Sequence, residues 1–229
     1  MKRALYLILV ALLAASCGSG VVLTRESEYP QMYQQKPTVL LVMPPINNTS
    51  NVDAKEYLYT SISKPLIEAG YYVISPHIAM ELLKAESAYD AELFVEGDLE
   101  PFNRVFGADA VIFSEINAWT KSGFGIKTNI HYFIKSAYSG EVLFDRTCDL
   151  YLDLSNDSGN NKNNKNWLGA LIDLTVAVVN TAMTDHIEAA RIANSYIFSD
   201  LPEGKYSPNY MIDQNMVVDA SDISATVKR

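Results

Sequence analysis

The feature that most constrains this chain is a run of six residues without charge, Thr38-Val39-Leu40-Leu41-Val42-Met43, which stops at Pro44-Pro45. A half-exposed strand alternates apolar and polar side chains, so a continuous apolar run of this length fits a strand buried on both faces of a sheet. Covering both faces takes helices, and that places the fold in the α/β class. A helix is expected from about Asp53, because Leu58, Ile62 and Leu66 recur on one face. Pro65 should kink or restart it. Gly70 should close it ahead of a second strand over residues 71–75. Residues 79–85 read as helix, and residues 101–106 as a short helix ending at Gly107.

From Asp109 onward the pattern changes to β. Ala110, Val111, Ile112 and Phe113 form another apolar run that continues toward Trp119, and Gly123-Phe124-Gly125 marks a turn. Ile126, Thr128, Ile130, Tyr132 and Ile134 then alternate with Lys127, Asn129, His131 and Lys135, the period of a half-exposed strand. Tyr138-Ser139-Gly140-Glu141 reads as a hairpin connection. It leads into residues 142–154, which pair naturally with the strand before. Residues 155–166 are almost wholly Asn, Ser, Gly, Asp and Lys, a solvated loop. The apolar stretch 167–183 includes Asp173 and Asn180. A charge at bilayer depth costs roughly 2.5–3.5 kcal/mol, so this stretch reads as a core helix running on through Ile187, Ile192 and Tyr196. The expected fold is a mixed β-sheet with packing helices in the order β-α-β-α-β-β-β-α, forming one α/β domain over residues 37–200.

The N-terminus sets the address. Lys2 and Arg3 precede about a dozen apolar or small residues, and Ala14-Ala15-Ser16 lead into Cys17. A charged start, a short apolar stretch and small residues before a cut site describe a secretory signal peptide, here residues 1–16. The stretch is shorter than the roughly 20 residues a spanning helix needs. A Cys directly after the small residues makes the segment a lipobox, although the Leu usual three positions before the Cys is Ala14 here, with Leu13 one step earlier. Cys17 is thus the expected lipidation site. Gly18 follows it rather than Asp, which favours the outer membrane, facing the periplasm. Residues 17–36 are polar, with Pro30 and several Gln, and read as a lipidated tether. Residues 201–229, with Pro202, Gly204 and Pro208, read as a loose C-terminal tail.

Composition excludes some partners. Loss of Lys2 and Arg3 with the signal segment leaves 16 basic against 27 acidic residues, a net −11. Nucleic acid and anionic lipid headgroups both call for basic patches, so neither is expected to bind by charge. With Cys17 lipidated, Cys148 has no cysteine to pair with, and it shares a strand face with Leu150, Leu152 and Leu154, the setting of a buried structural thiol.

Catalytic signatures are missing from the sequence. His77, His131 and His186 lack ligand spacing with Cys or acidic residues, so no metal site or cofactor is expected. The acidic residues Asp90, Glu92, Glu96, Asp98 and Glu100 do not follow the spacing of a calcium loop and read as a solvated face. The turn over residues 44–51 is the favoured binding surface, with Asn47, Asn48 and Thr49 as its candidate residues, because loops after buried strands commonly present binding groups. A tolerated polar insertion fits the same pattern.

Three short motifs in order resemble known envelope proteins. Residues 39–45 with Asn47, then Phe106-Gly107-Ala108-Asp109-Ala110-Val111, then Ser139-Gly140-Glu141-Val142-Leu143 resemble markers of TolB N-terminal domains and CsgG-like curli-secretion lipoproteins. Residues 65–73, the Asn-rich loop and Trp167-Leu168-Gly169-Ala170-Leu171 resemble more narrowly the meningococcal-antigen type of bacterial lipoprotein, a family of unknown function. The resemblance spans roughly residues 36–210 and implies no catalytic residues. It implies a non-enzymatic accessory lipoprotein of a CsgG-like transport or assembly system, held to the membrane through lipid on Cys17 and working by protein–protein contact. A periplasmic lipoprotein that binds a small ligand or glycan is the alternative.

Overall fold

The computed structural model describes residues 22–155, 182–218 and 222–228. Cys17, the signal segment, the Asn-rich loop from residue 156 and the apolar residues 167–181 lie outside them. Two short helices come first, α1 (Arg25–Glu28) and α2 (Pro30–Gln35). The order then runs β1 (Val39–Val42), β2 (Ile46–Asn47), α3 (Ala54–Ser61), α4 (Ser63–Glu68), β3 (Tyr72–Val73), α5 (Pro76–Ala85) and α6 (Glu100–Phe106). Three long strands follow, β4 (Ala110–Ser122), β5 (Gly125–Ser136) and β6 (Val142–Asp153), then α7 (Ala182–Ile197) and β7 (Asp222–Lys228).

The expected mixed sheet is present, in the order β3-β1-β4-β5-β6-β7. β1 is parallel to β3 and β4, the β4-β5-β6 meander is antiparallel, and β7 returns parallel to β6. β2 continues the line of β1 along β4 after the break at Pro44-Pro45, pairing Ile46 with Glu115 and Asn47 with Ile116.

The continuous apolar run of β1 has its explanation in two cores. Leu40 and Val42 enter the larger cluster, which also holds Leu58, Ile62 and Leu66 of α3, α4 and the turn between them. Leu41 and Met43 enter a second cluster on the opposite face, under α5 and α6, with Val111, Phe113 and Phe133. The helix expected from Asp53 does break, but at Ile62, whose backbone stays helical, rather than at Pro65, which sits in the first turn of α4 where a missing N–H costs nothing. Gly107 ends α6 in the left-handed conformation, as expected.

Both ends of the domain extend beyond the expected bounds of residues 37–200. Much of the expected tether is part of the fold: Tyr29, Met32 and Tyr33 on α1–α2 are buried, and the Tyr29 ring lies 4.7 Å from that of Phe144. The expected tail is not loose either. Leu201, Pro202 and Gly204 are buried, and β7 adds a strand to the sheet. The two extensions hold each other. Arg25 N–H donates to the Met216 carbonyl, Glu26 N–H to Gln214 and Val218 N–H to Leu23. Beneath this ladder the buried Arg25 guanidinium donates from Nη1 to Asp213 Oδ2 at 2.8 Å and from Nη2 to the Ser199 carbonyl at 2.9 Å, with Glu203 at 3.4 Å. Burial disfavours the charge on Arg25, yet the bonds to Asp213 and Glu203 outweigh that and raise its pKa. A backbone-to-backbone contact anchors the same segment: Gly204 N–H donates to the Ala69 carbonyl and Tyr206 N–H to that of Gly70. Gly70 has φ of 86°, and a Cβ there would stand 2.3 Å from Ser207 N, so only glycine fits.

Candidate functional site

The helices divide the two faces of the sheet unequally. On the face of the larger cluster α7 packs on β5 and β6, burying Ala189, Ala190 and Ala193 in the same core as Ile130, Tyr132 and Leu150. On the other face α5 and α6 cover the β1 side, the start of β4 and the end of β5. Beyond Phe133 no described helix covers that face, and the outward side chains of β4 to β7 are exposed or half-exposed. Strict alternation produces this, since every second residue of β5 and β6 that is not core must point outward.

In the middle of the open face three strands bring a His between two carboxylates. Glu115 pairs with His131 across β4 and β5, and Asp145 lies one position diagonal on β6. His131 Nε2 lies 2.9 Å from Asp145 Oδ1, and Nδ1 lies 3.4 Å from Glu115 Oε2. Partial burial acts to lower the His131 pKa, but the bonds and charges of Asp145 and then Glu115 outweigh it and raise the pKa. An imidazolium satisfies both carboxylates at once, because both of its nitrogens are then donors. Further along, Lys127 Nζ faces Asp149 at 3.8 Å, and Thr147 N–H donates to Asp222 of β7. The surface as a whole is acidic.

The expected binding turn abuts this face. Asn48 Nδ2 donates to Asn117 Oδ1 at 3.1 Å, and Asn48 N–H donates to the Ile116 carbonyl. The register of β4 shifts just there, between Ile116 and Ala118, and the shift turns Asn117 out beside Glu115. Asn47 and Thr49 have a different task. Asn47 Oδ1 accepts from Thr49 N–H and Thr49 Oγ1, and its Nδ2 donates to the Asn51 carbonyl. Their polar groups shape the turn, and Asn48 is the exposed member of the three. The sequence places His131 on the polar face of a strand, as a solvated or hydrogen-bonded residue. Its placement on the polar side of β5 was visible in the alternation, but the register that delivers Glu115 and Asp145 to it was not.

The remaining candidates are structural. Trp119 Nε1–H donates to His186 Nδ1 at 2.9 Å, and the Tyr57 ring stacks on His186 with centroids 5.7 Å apart. His77 is exposed on α5, and Asp90, Glu92, Glu96, Asp98 and Glu100 are all exposed, as a solvated face should be. Cys148 is fully buried, and its thiol is pushed up to about 12 by that burial, with Asp149 adding to the shift. Among the described residues no group of three or more His, Cys, Asp or Glu could hold a metal ion, and no helix is long and apolar enough to cross a membrane. Two hollows, about 290 Å³ between α1–α2 and β6 and about 260 Å³ beside Asp109, open to solvent. Both fall below the ~300–1,000 Å³ of a typical ligand pocket.

A family model described as "Putative lipoprotein GNA1162-like" matches residues 27–205. The "Putative lipoprotein NMB1124/NMB1162" of Neisseria meningitidis serogroup B is 28% identical over 186 residues, covering 80% of this chain and 84% of that protein. Among solved structures, lipoprotein GNA1162 from Neisseria meningitidis matches at 24% identity and a TM-score of 0.47, covering 59% of this chain and 91% of that one. The LpoB C-terminal domain from Escherichia coli matches at 15% identity and a TM-score of 0.35, covering 54% of this chain and 94% of that domain.

Proposed function

Since the chain belongs to the GNA1162-like lipoprotein family, we propose that it is a lipid-anchored, non-catalytic accessory protein of a cell-envelope transport or assembly system, of which the CsgG-like systems are one type. It engages a protein partner through the open face of β4 to β7. Lipid on Cys17 holds it to the membrane, and Gly18 in place of Asp after that Cys supports the outer membrane as its address. The observation that carries the reading is the open face itself, a broad polar surface that no described helix covers. Its groups are arranged for contact rather than for chemistry. Both nitrogens of His131 face carboxylates, which leaves neither free to activate a nucleophile. The acidic surface fits a basic or polar partner surface.

A photocrosslinking residue at Thr147, on the open face, tests this in cells that express the full-length chain. A discrete adduct with an envelope protein is expected. It should be lost in Glu115→Lys/Asp145→Lys, and absent when the crosslinker stands at Leu82 on the outer side of α5. Equal adducts at both positions, or an adduct indifferent to the charge reversal, would refute the open face as the contact.

A further inference from the structure

We propose that the exposed apolar side chains around the junction of the two terminal segments form the surface by which this domain rests on the membrane. The inference builds on lipid attachment at Cys17. Val22 (63% exposed), Ile212 (73%), Met216 (49%) and Val217 (67%) flank the ladder that joins the chain ends, where Thr24 bridges to Val217 and Val218 N–H donates to Leu23. Exposed apolar residues this close together call for a partner surface.

Chain length names the occupant. Five Cα–Cα steps separate Val22 from Cys17. At full extension they span at most ~17 Å, while the attached acyl chains hold Cys17 at the boundary of headgroups and acyl chains. The headgroup layer is itself roughly 5–8 Å deep on each side. The patch therefore cannot stand far from the bilayer, and the ladder fixes which side of the domain faces it.

Charge agrees with this placement. The mature chain carries a net −11, which an anionic leaflet would repel. Yet residues 17–24 contain no charged residue, and residues 209–218 contain only Asp213, whose carboxylate is turned inward to Arg25. Glu26, whose N–H is a rung of the ladder, has an exposed side chain, and Asp219 follows Val218 in the sequence, so these two acids border the uncharged stretch. An uncharged apolar surface enters the headgroup region at little electrostatic cost.

The test uses the full-length lipidated protein in vesicles of equal parts phosphatidylethanolamine and phosphatidylglycerol containing a shallow nitroxide lipid. An environment-sensitive fluorophore is attached at Val217→Cys and, in a second preparation, at Phe124→Cys. Phe124 is 79% exposed in the β4–β5 turn; nearby Trp119 binds His186, near the start of α7, whereas Arg25 binds Ser199, just past its end. Cys148 is buried and takes no label. Quenching at position 217 should exceed that at position 124 by about twofold or more, with a blue-shifted emission. Equal quenching at the two positions overturns the proposal, as does a blue shift at 217 without quenching, which would mean that protein covers the patch. Mass spectrometry of the N-terminal peptide separates the two readings. An acylated Cys17 with position 217 unquenched refutes the resting surface alone, whereas an unacylated Cys17 refutes the anchor.

Discussion

Asp213→Ala tests the joining of the two chain ends most directly. The substitution removes a bond of 2.8 Å between two buried groups, Arg25 at 5% exposed and Asp213 at 0%, and leaves the guanidinium buried. Breaking a buried pair by deleting one partner costs about 3–5 kcal/mol, because the surviving charge stays desolvated. Arg25 keeps the Ser199 carbonyl and the more distant Glu203, which draws the cost toward the lower end. The same carboxylate oxygen also accepts from Glu203 N–H at 2.8 Å, and losing that bond adds about 1 kcal/mol. The expected loss is therefore ~3–4 kcal/mol, read as a lower urea midpoint of the protein in detergent micelles. Hydrogen exchange identifies where it falls, because the amides of Arg25, Glu26 and Val218 are all bonded across the junction and should lose protection first. Arg25→Met/Asp213→Leu should lie closer to the parent than Asp213→Ala does, since a packed apolar pair leaves no stranded charge. A loss below about 1 kcal/mol, with these amides still protected, would show that the junction does not depend on this ion pair.

Gly107→Ala and Gly70→Ala separate backbone strain from steric exclusion. Both glycines have positive φ, but a Cβ at Gly107 meets nothing within 4 Å, so about 1 kcal/mol is expected there in urea unfolding and clearly more at Gly70, where Ser207 blocks the space. Equal costs at the two sites would contradict the packing of residues 204–207. Cys148 should stay unmodified by a maleimide in the folded protein and react at once in guanidinium; a fast folded-state reaction would place it at the surface. The two strand-facing histidines should give opposite pH dependences. The His186 pKa is lowered by burial and then by Lys121, and its Nδ1 must accept from Trp119, so its contribution is complete above the unfolded value of about 6.5 and is lost as pH falls through the folded value. The His131 pKa is raised, because Asp145 and Glu115 overcome the effect of burial, so its contribution is complete below about 6.5 and is lost as pH rises through the folded value. Unfolding midpoints of His131→Gln and His186→Gln from acid to neutral pH check both signs, and a shared direction would refute the assignment.

How much of this was legible in the sequence depended on where each pattern found its partner. β1 announced itself because a strand with a core on each side cannot spare a polar residue, and β5 and β6 because a strand with one open side must alternate. The elements that sequence reading passed over carried weaker versions of the same signals. Tyr29, Met32 and Tyr33 are spaced as one helical face, but they sit among Gln residues and on either side of Pro30, and their helices are only four and six residues long. Ile223, Ala225 and Val227 alternate with polar residues in β7, yet a strand added parallel at an edge after a long excursion leaves no turn signal beside it. The open face was half legible. His131 could be placed on the polar side of β5, but the Glu115–His131–Asp145 row exists only through the register of three strands.

The folded termini change what the anchor can do. A tether over residues 17–36 would have let the domain range up to ~65 Å from the bilayer, reaching partners almost anywhere in the space above it. With folding already under way at Leu23, about 20 Å of chain is available instead. A domain of roughly 200 residues is about 40 Å across, so a partner of the open face has to present its own surface within that height of the membrane. The Arg25–Asp213 pair and the ladder above it fix the point where the N-terminal chain enters the domain, which on the proposed anchoring also limits rotation. On the proposed function, with lipid on Cys17 and the open face as the contact, anchoring and presentation of the sheet are mechanically coupled. Lengthening residues 18–21 with a flexible insert should leave acylation and folding intact while weakening the Thr147 crosslink, because the gain in freedom dilutes the effective concentration of the face at its partner. An insert that leaves the crosslink unchanged would mean that the face finds its partner without help from the membrane.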